Sequence, residues 1–373
     1  MIYKKIFSKH VRVDLNIDKK TATIIKNELK YYPNSLSSKP DIEIEITYFN
    51  ESNMPTVNVR NPKIVMEAKN AIIFDYGSYY VMWNPQSTPL KATLFIKKIP
   101  GLKRMYTKFR SIQFLSIEES VGQILHENIL VPLSYFFNDI APIHGSCISN
   151  KNGNSVIIGG TGGSGKSSTL LSFIDSDSYF FVSDDIAIIN SAGNIFPNYA
   201  LPKIYAYNTK DDKNLESRIL KNRSLIDKIM WHIRKGKNPS RVRRRVYIEK
   251  LWNIDKKASF DMKYYLILYR GNFNDITLEK ISATDAVEAS LNIIFTEYWN
   301  FNTKIMWHKF NSIFYKRTPF VSIESVYNNW KKIYENAMKK CKNYLVKVPT
   351  NMPNDVFKVK IKEIIMDLLE NRM

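Results

Sequence analysis

Cysteine is nearly absent from this sequence, and so are long apolar runs. Among 373 residues there are two cysteines, Cys147 and Cys341, and their separation matches no zinc-binding pattern. Neither a disulfide framework nor a zinc site is therefore predicted, and a reducing cytoplasm is the simplest compartment. The most apolar stretch, residues 129–137, is too short to span a bilayer. Residues 1–15 carry frequent charges and no apolar segment typical of a signal peptide. We expect a soluble cytoplasmic protein.

Acidic residues are too few to balance the basic ones. The chain has 55 Lys and Arg residues against 35 Asp and Glu residues, which gives a net charge of +20. Such an excess favours anionic partners, namely nucleotide phosphates, nucleic acid or an acidic membrane surface. Because the lysines are spread along the whole chain, a surface that only reflects the composition of the genome explains the charge equally well.

Apolar residues make up 44% of the chain, enough for one large domain or two ordinary ones. We predict strands throughout residues 1–110 and assign residues 1–115 to a β-rich N-terminal domain. Its clearest strand patterns are 41–49, 71–83 (a hairpin with a turn at Gly77) and 91–99.

A helix is predicted to connect this domain to the rest of the chain over residues 116–140. Ser116 and Glu119 form a capping-box pattern at its start, and Pro132 should kink or end it. The remaining residues, 141–373, are assigned to a second domain with a helical C-terminal part.

The second domain combines both kinds of pattern, so the predicted fold class is α/β, of the α+β kind, with a mixed sheet. Two strands joined by a tight turn are followed by a glycine-rich loop, a helix and a short apolar strand. Later elements are a strand at 263–271, a helix at 282–299, a helix at 322–340, a strand at 344–348 and a helix at 354–370.

The glycine-rich loop matches the phosphate-binding pattern G-x-x-x-x-G-K-[ST]. Glycines permit backbone angles that let amide N–H groups approach phosphate oxygens. Lys166 adds a cation for the β- and γ-phosphates, and Ser167 offers a hydroxyl to Mg²⁺. The flanking strand and helix are the context that such a loop needs, so a nucleoside triphosphate, ATP or GTP, and Mg²⁺ are the predicted cofactors. The nucleotide-binding residues are predicted to be Gly160, Thr161, Gly162, Gly163, Ser164, Gly165, Lys166, Ser167 and Ser168.

Two adjacent acids, Asp184 and Asp185, interrupt the apolar segment 179–190 shortly after the loop. A strand that returns beside the loop would bring both acids close to the γ-phosphate. One acid can then support Mg²⁺ while the other accepts a proton from an attacking hydroxyl. The alternative is an Asp-Asp turn at the surface.

Further candidates are a histidine before the loop and a basic segment after it. His144 lies one hairpin upstream and can polarise a phosphate oxygen or orient an acid, although a lone histidine is often structural. Residues 234–250 suggest a mobile loop entering a strand, in which Arg243 and Arg245 share a face. An arginine there can balance charge on a transferred phosphoryl group. Nucleic-acid binding and a solvated basic loop are the alternatives, and Arg270 is a weaker candidate.

The order of these features, "PIHG", a hairpin, "GGTGGSGKSS" and "FVSDD", resembles the HPr kinase/phosphorylase family. The resemblance implies a fold related to phosphoenolpyruvate carboxykinases and transfer of the ATP γ-phosphoryl group to a hydroxyl. It implies Asp184 as general base, Ser167 and Asp185 as Mg²⁺ ligands, and His144 beside them. Ser168 stands where the namesake enzymes have Glu.

The resemblance leaves the acceptor open among a protein or peptide serine and a sugar or glycan hydroxyl. It also implies a homo-oligomer. The alternatives to a kinase are a nucleotide-binding regulatory protein without catalysis and a nucleic-acid-associated ATPase. No recognised nucleic-acid module supports the latter, whereas peripheral contact with an anionic membrane surface remains among the expected partners.

Overall fold

The N-terminal part of the chain forms one mixed β-sheet. The structure is a computed structural model that describes residues 1–61, 64–210, 212–370 and 372. Its strands are β1 (Ile2–Ile6), β2 (Lys9–Asn16), β3 (Ile42–Tyr48), β4 (Val59–Asn61), β5 (Val65–Glu67), β6 (Ile72–Asp75), β7 (Tyr79–Asn84) and β8 (Leu90–Ile96). They pair in the order β1-β2-β3-β8-β7-β6-β5-β4. Strand β3 is parallel to β2 and β8, and the other pairs are antiparallel. The predicted hairpin is confirmed, with Gly77 at a φ of 81°.

Two helices also occur in this N-terminal part, so the prediction of strands throughout residues 1–110 is wrong for these two segments. Helix α1 (Lys19–Leu29) begins at Asp18, whose side chain accepts hydrogen bonds from the backbone N–H groups of Lys20 and Thr21. It carries the chain between the parallel strands β2 and β3. Helix α2 (Gly101–Arg110) follows β8 and has no buried residue. Helical spacing of apolar residues outweighs alternation in both segments.

The rest of the chain, from residue 141 onwards, forms ten strands among the described residues. They are β9 (Ala141–Asn150), β10 (Asn154–Gly160), β11 (Tyr179–Ser183), β12 (Ile186–Ile189), β13 (Asn194–Phe196), β14 (Lys203–Tyr205), β15 (Arg243–Arg245), β16 (Phe260–Gly271), β17 (Thr277–Lys280) and β18 (Lys342–Pro349). Strand β9 pairs with β10, β11 and β12, and the pairings β12–β13, β13–β16 and β16–β10 close a ring of five strands. Strands β14 and β15 form a separate ribbon.

Eight helices follow α2 in the part of the chain that the structure describes. They are α3 (Ile117–Leu125), α4 (Lys166–Leu171), α5 (Lys213–Leu220), α6 (Leu225–Lys237), α7 (Ala283–Glu297), α8 (Trp299–Phe314), α9 (Ile323–Met338) and α10 (Asn354–Leu369). Helices α7 and α9 pack against β9, and the predicted helices at 282–299, 322–340 and 354–370 are confirmed. The protein is thus mixed α/β. In the described part of the chain, no helix combines the length and the apolar character that a membrane crossing requires.

The connecting segment and the basic segment differ from expectation. The capping box of Ser116 and Glu119 is present, but regular α-helix ends at Leu125 and continues as wider and tighter turns that contain Pro132. Residues 234–237, predicted as loop, are the last turn of α6, because its buried face continues from Asp227 and Trp231. The strand beyond it is limited to β15, and a short 3₁₀ turn follows.

Candidate functional site

The phosphate-loop sequence connects β10 to α4, in a conformation that only glycine adopts without strain. Gly160, Gly163 and Gly165 have φ values of 134°, 78° and 117°. A Cβ on Gly160 would lie 2.8 Å from the carbonyl oxygen of Leu268 on β16. The loop is therefore fitted tightly against the neighbouring strand, and its tip, residues 161–163, is exposed.

Lys166 and Arg270 both donate hydrogen bonds to backbone carbonyl oxygens of the loop. The Nζ atom of Lys166 donates hydrogen bonds to the carbonyl oxygens of Gly160 and Thr161, both at 2.9 Å. Burial lowers the pKa of Lys166 against the opposing effect of the nearby acids. Arg270 Nε donates to the carbonyl oxygen of Ser164 at 3.1 Å. Arg270 thus supports the loop backbone.

The two serines after Lys166 have different environments. The Ser167 hydroxyl lies 3.3 Å from Oδ1 of Asp184. Ser168 is buried and donates a hydrogen bond to Asn208 Oδ1 at 3.1 Å. Of the two, Ser167 is the one placed beside the acids.

Asp184 lies just after β11, where the predicted strand 179–190 breaks into β11 and β12. Its carboxylate is 7% exposed and accepts a hydrogen bond from the Ser146 hydroxyl at 2.9 Å. Burial, followed by the negative charge of Asp185, raises the pKa of Asp184 to about 6, against the opposing effect of Ser146, Ser167 and Lys166. A buried carboxylate with such a pKa is suited to accept a proton near neutral pH.

Asp185 and His144 lie close together at the same edge of the sheet, the first exposed and the second buried. Asp185 has a φ of 71°, and its side chain is 60% exposed. His144 is 5% exposed, with Nδ1 4.0 Å from Asp185 and Nε2 3.7 Å from Glu297 Oε1. Burial, followed by the charge of Lys166, lowers the pKa of His144 to about 4, so the ring is neutral at pH 7. Neither ring nitrogen has a hydrogen-bond partner among the described residues, and both nitrogens are buried.

The three arginines of β15 have different partners. Arg244 is fully buried and paired with Asp227 at 2.7 Å. Arg245 binds both carboxylate oxygens of Glu28 at 2.8 Å, so its charge is balanced within the fold. Its terminal nitrogens are thus engaged by Glu28 of α1, and contact of Arg245 with a phosphoryl group stays a prediction. Arg243, which hydrogen-bonds the Tyr205 hydroxyl, remains the candidate for contact with a phosphoryl group.

A cleft brings these residues together around two adjacent cavities, of about 100 and about 360 Å³. The smaller one is lined by Ser167, Asp184, Arg243 and Arg245, and the larger one by His144 and Glu297. The walls shared by both cavities are Glu127, Asp185, Ile186, Lys203 and Tyr298. Sequence patterns did not indicate Lys203, Glu297 or Tyr298, because each is a single residue at the end of an ordinary strand or helix and belongs to no motif.

The N-terminal sheet also reaches the larger cavity. Tyr76 and Tyr79, from the β6–β7 hairpin, line it with their rings stacked at 4.8 Å. The Tyr76 hydroxyl is buried without a hydrogen-bond partner among the described residues. The N-terminal sheet and the later part of the chain therefore both line the cleft.

A third cavity, of about 550 Å³, lies along residues 160–164 of the loop. Its other walls are mostly apolar and include Ile267, Leu268, Ile293 and Leu345, with Arg270 and Asp285 as charged members. An apolar pocket with a few polar groups is typical of small-molecule sites.

No protein-family model matches the chain, and no curated protein matches it either.

Proposed function

We propose that this protein is an ATP-dependent kinase that phosphorylates a hydroxyl group. The observation that carries the proposal is the position of Asp184, a buried carboxylate of raised pKa hydrogen-bonded to Ser146 and Ser167, beside a glycine loop that contains Lys166. Phosphoryl transfer mainly requires positioning and charge balance, together with a group that takes the hydroxyl proton. All three requirements find residues within one cleft.

The nucleotide would lie across the loop. The loop amides and Lys166 would bind the β- and γ-phosphates, and the apolar cavity beside residues 160–164 would receive the nucleoside. Oxygen donors suit Mg²⁺, so Ser167 and Asp185 would hold the ion, which neutralises phosphate charge when bound. Arg243 faces the same space from β15.

The acceptor would enter through the larger cavity. Its hydroxyl oxygen attacks the γ-phosphorus as the bond to the ADP oxygen breaks, and the hydroxyl proton passes to Asp184. His144, neutral and unpaired, would orient the acceptor or a phosphate oxygen. Tyr76 and Tyr79 would form the far wall.

The hydrogen bond between Ser167 and Asp184 favours a second division of labour. In that arrangement Asp184 serves the metal together with Ser167, while the exposed Asp185 beside His144 takes the proton. The raised pKa of Asp184 supports the first arrangement, which we therefore prefer. The two differ in which substitution changes the Mg²⁺ requirement.

A kinase core of the HPr kinase type is part of this proposal. Support comes from the chain order of His144, the loop and the Asp pair, and from strand β9, which carries His144 and pairs with both β10 and β11. Gly145, next to His144, pairs with Gly159 just before the loop and donates its backbone N–H to the carbonyl oxygen of Asp185. A regulatory protein without catalysis would not need a buried acid of raised pKa beside the loop.

The test measures binding and catalysis separately. Binding of ATP with Mg²⁺ is followed by calorimetry, and phosphate release with water as acceptor is followed for the wild type, Lys166→Met and Asp184→Asn. We expect Lys166→Met to weaken binding and Asp184→Asn to bind ATP but release little phosphate. ATP binding with no turnover by the wild type, even with serine peptides and sugars supplied, would favour the regulatory alternative. Hydrolysis stimulated by RNA or DNA would favour the nucleic-acid-associated ATPase.

A further inference from the structure

Helix α2 exposes an apolar stripe. Leu102, Met105 and Tyr106 are 83%, 55% and 60% exposed. Their spacing of three and four residues places them on one face of the helix, and the helix has no buried residue. A surface helix normally turns such a face towards the core, so this one is available to a partner.

Helix α6 exposes a second stripe. Leu225, Ile229 and Ile233 are 73%, 48% and 51% exposed and recur every four residues. The opposite face carries Asp227 and Trp231, which are buried. The core contact of α6 is therefore already made, and the aliphatic stripe is additional to it.

The two helices are tied together where both end. Arg234, in the last turn of α6, donates hydrogen bonds to the carbonyl oxygens of Phe109 and Ser111 at the end of α2. Arg244 links the same elements, since it pairs with Asp227 and donates to the carbonyl oxygen of Ile112 at 3.0 Å. The stripes thus belong to one braced pair of helices, which we call the α2–α6 surface.

Positive charge borders both stripes. Helix α2 contains Lys103, Arg104, Lys108 and Arg110 and no acid. The acid of α6, Asp227, is buried and paired with Arg244, while Lys228 and Lys237 are exposed. The charges that this surface shows to solvent are therefore basic.

We propose that the α2–α6 surface docks onto an anionic lipid bilayer. Aliphatic and aromatic side chains flanked by lysine and arginine are the features by which helices lie in a membrane interface. Nucleic acid would satisfy the cations but leave the aliphatic stripes in water. A second copy of this chain, itself of charge +20, would bring like charges together. This proposal does not depend on the kinase assignment.

Docking would also orient the cleft. Strand β15 carries Arg244, which anchors the α2–α6 surface, next to Arg243, which lines the cleft. A protein held by this surface would keep its cleft at a fixed orientation to the bilayer.

The experiment is vesicle flotation with the full chain at low salt. Vesicles of phosphatidylcholine alone are compared with vesicles of phosphatidylcholine and phosphatidylglycerol. Two double variants remove one stripe each, Leu102→Ser with Met105→Ser and Leu225→Ser with Ile229→Ser. The matched control is Ile313→Ser with Phe314→Ser on α8, whose side chains are 63% and 71% exposed. Because all these residues are exposed, unfolding midpoints should stay close to the wild type, and they are measured for each variant.

The wild type and the α8 control should float only with the anionic vesicles. Each stripe variant should bind about tenfold or more weakly, since two apolar side chains no longer enter the interface. Lys228→Gln with Lys237→Gln should lower binding by about fivefold per charge and reduce its salt dependence. Absence of wild-type binding, equal binding to neutral vesicles, or loss of binding in the α8 control would each overturn the proposal. So would a wild-type dimer that the stripe variants dissociate.

Discussion

The Ser146 hydroxyl, on strand β9, donates a 2.9 Å hydrogen bond to Oδ1 of Asp184 just beyond β11. These strands are direct neighbours, so the position of the carboxylate is fixed by sheet pairing. Burial raises its pKa, while this hydrogen bond acts in the opposite direction and favours the ionised form. The balance leaves a group that exchanges its proton near pH 6.

Asp184→Asn should lower phosphoryl transfer by about 10²- to 10⁴-fold, the usual contribution of a general base. ATP affinity and the Mg²⁺ concentration for half-maximal activity should stay near wild-type values. Asp185→Asn is the matched variant and should raise the Mg²⁺ requirement. If Asp184→Asn shifts the Mg²⁺ requirement and Asp185→Asn does not, the roles of the two acids are exchanged.

The pH dependence of stability should report the same group. The folded-state pKa of Asp184, about 6, lies above the ordinary value of 3.8, so the protonated form is favoured by folding. The contribution is complete below pH 3.8 and is lost as the pH rises to 6, a change of up to ~3 kcal/mol. Asp184→Asn lacks this loss, so its unfolding free energy relative to wild type should rise between pH 4 and 6. Chemical denaturation across this range measures it, and a flat difference would contradict the raised pKa.

The pH dependence of activity should have an acid limb near pH 6 from Asp184. His144, with a pKa of about 4, should add no limb near its ordinary value. His144→Gln should therefore reduce the rate without moving the acid limb. Initial rates from pH 5 to 8 give the profile, and a limb that disappears in His144→Gln would assign the titration to the histidine.

Lys166→Met should weaken ATP binding by about 100-fold, because the β- and γ-phosphates lose their cation. Lys151→Met makes the same chemical change at an exposed position in the β9–β10 turn and should bind ATP like the wild type. Calorimetry with ATP and Mg²⁺ compares the two. Equal weakening in both variants would point to general charge attraction by this basic protein.

Arg243 and Arg245 should respond differently to substitution. Arg243→Gln should lower the turnover rate while the fold stays intact. Arg245→Met should cost about 3–5 kcal/mol of unfolding free energy, because it leaves the buried Glu28 unpaired. Adding Glu28→Met should restore most of that loss, which denaturant titration of the four proteins of the cycle measures. Stability unchanged by Arg245→Met would remove the structural role assigned to this pair.

The glycine loop and the Asp pair could be recognised in the sequence because each is a pattern of adjacent residues. Gly160 to Ser167 form a local pattern, and the interruption of an apolar strand by Asp184 and Asp185 is equally local. Alternation likewise predicted β3 and the β6–β7 hairpin, where one face meets water.

Other parts of the cleft depend on contacts distant in sequence. Lys203, Glu297 and Tyr76 come from separate segments, and their convergence follows from how the sheets pack. Arg245 looked like a free cation because its partner, Glu28, lies in α1. Helix α2 was missed because it contributes no buried residue to the core. Its apolar residues therefore do not mark a buried helical face.

The two hydrogen bonds from Lys166 to Gly160 and Thr161 have a consequence for affinity. Two of the three N–H donors of the ammonium group are already engaged, so one donor is left for a phosphate oxygen. If the proposed nucleotide binds here, any second hydrogen bond from Lys166 to it would have to replace one that now holds the loop. A ligand too short to reach the ammonium group would leave both loop hydrogen bonds in place.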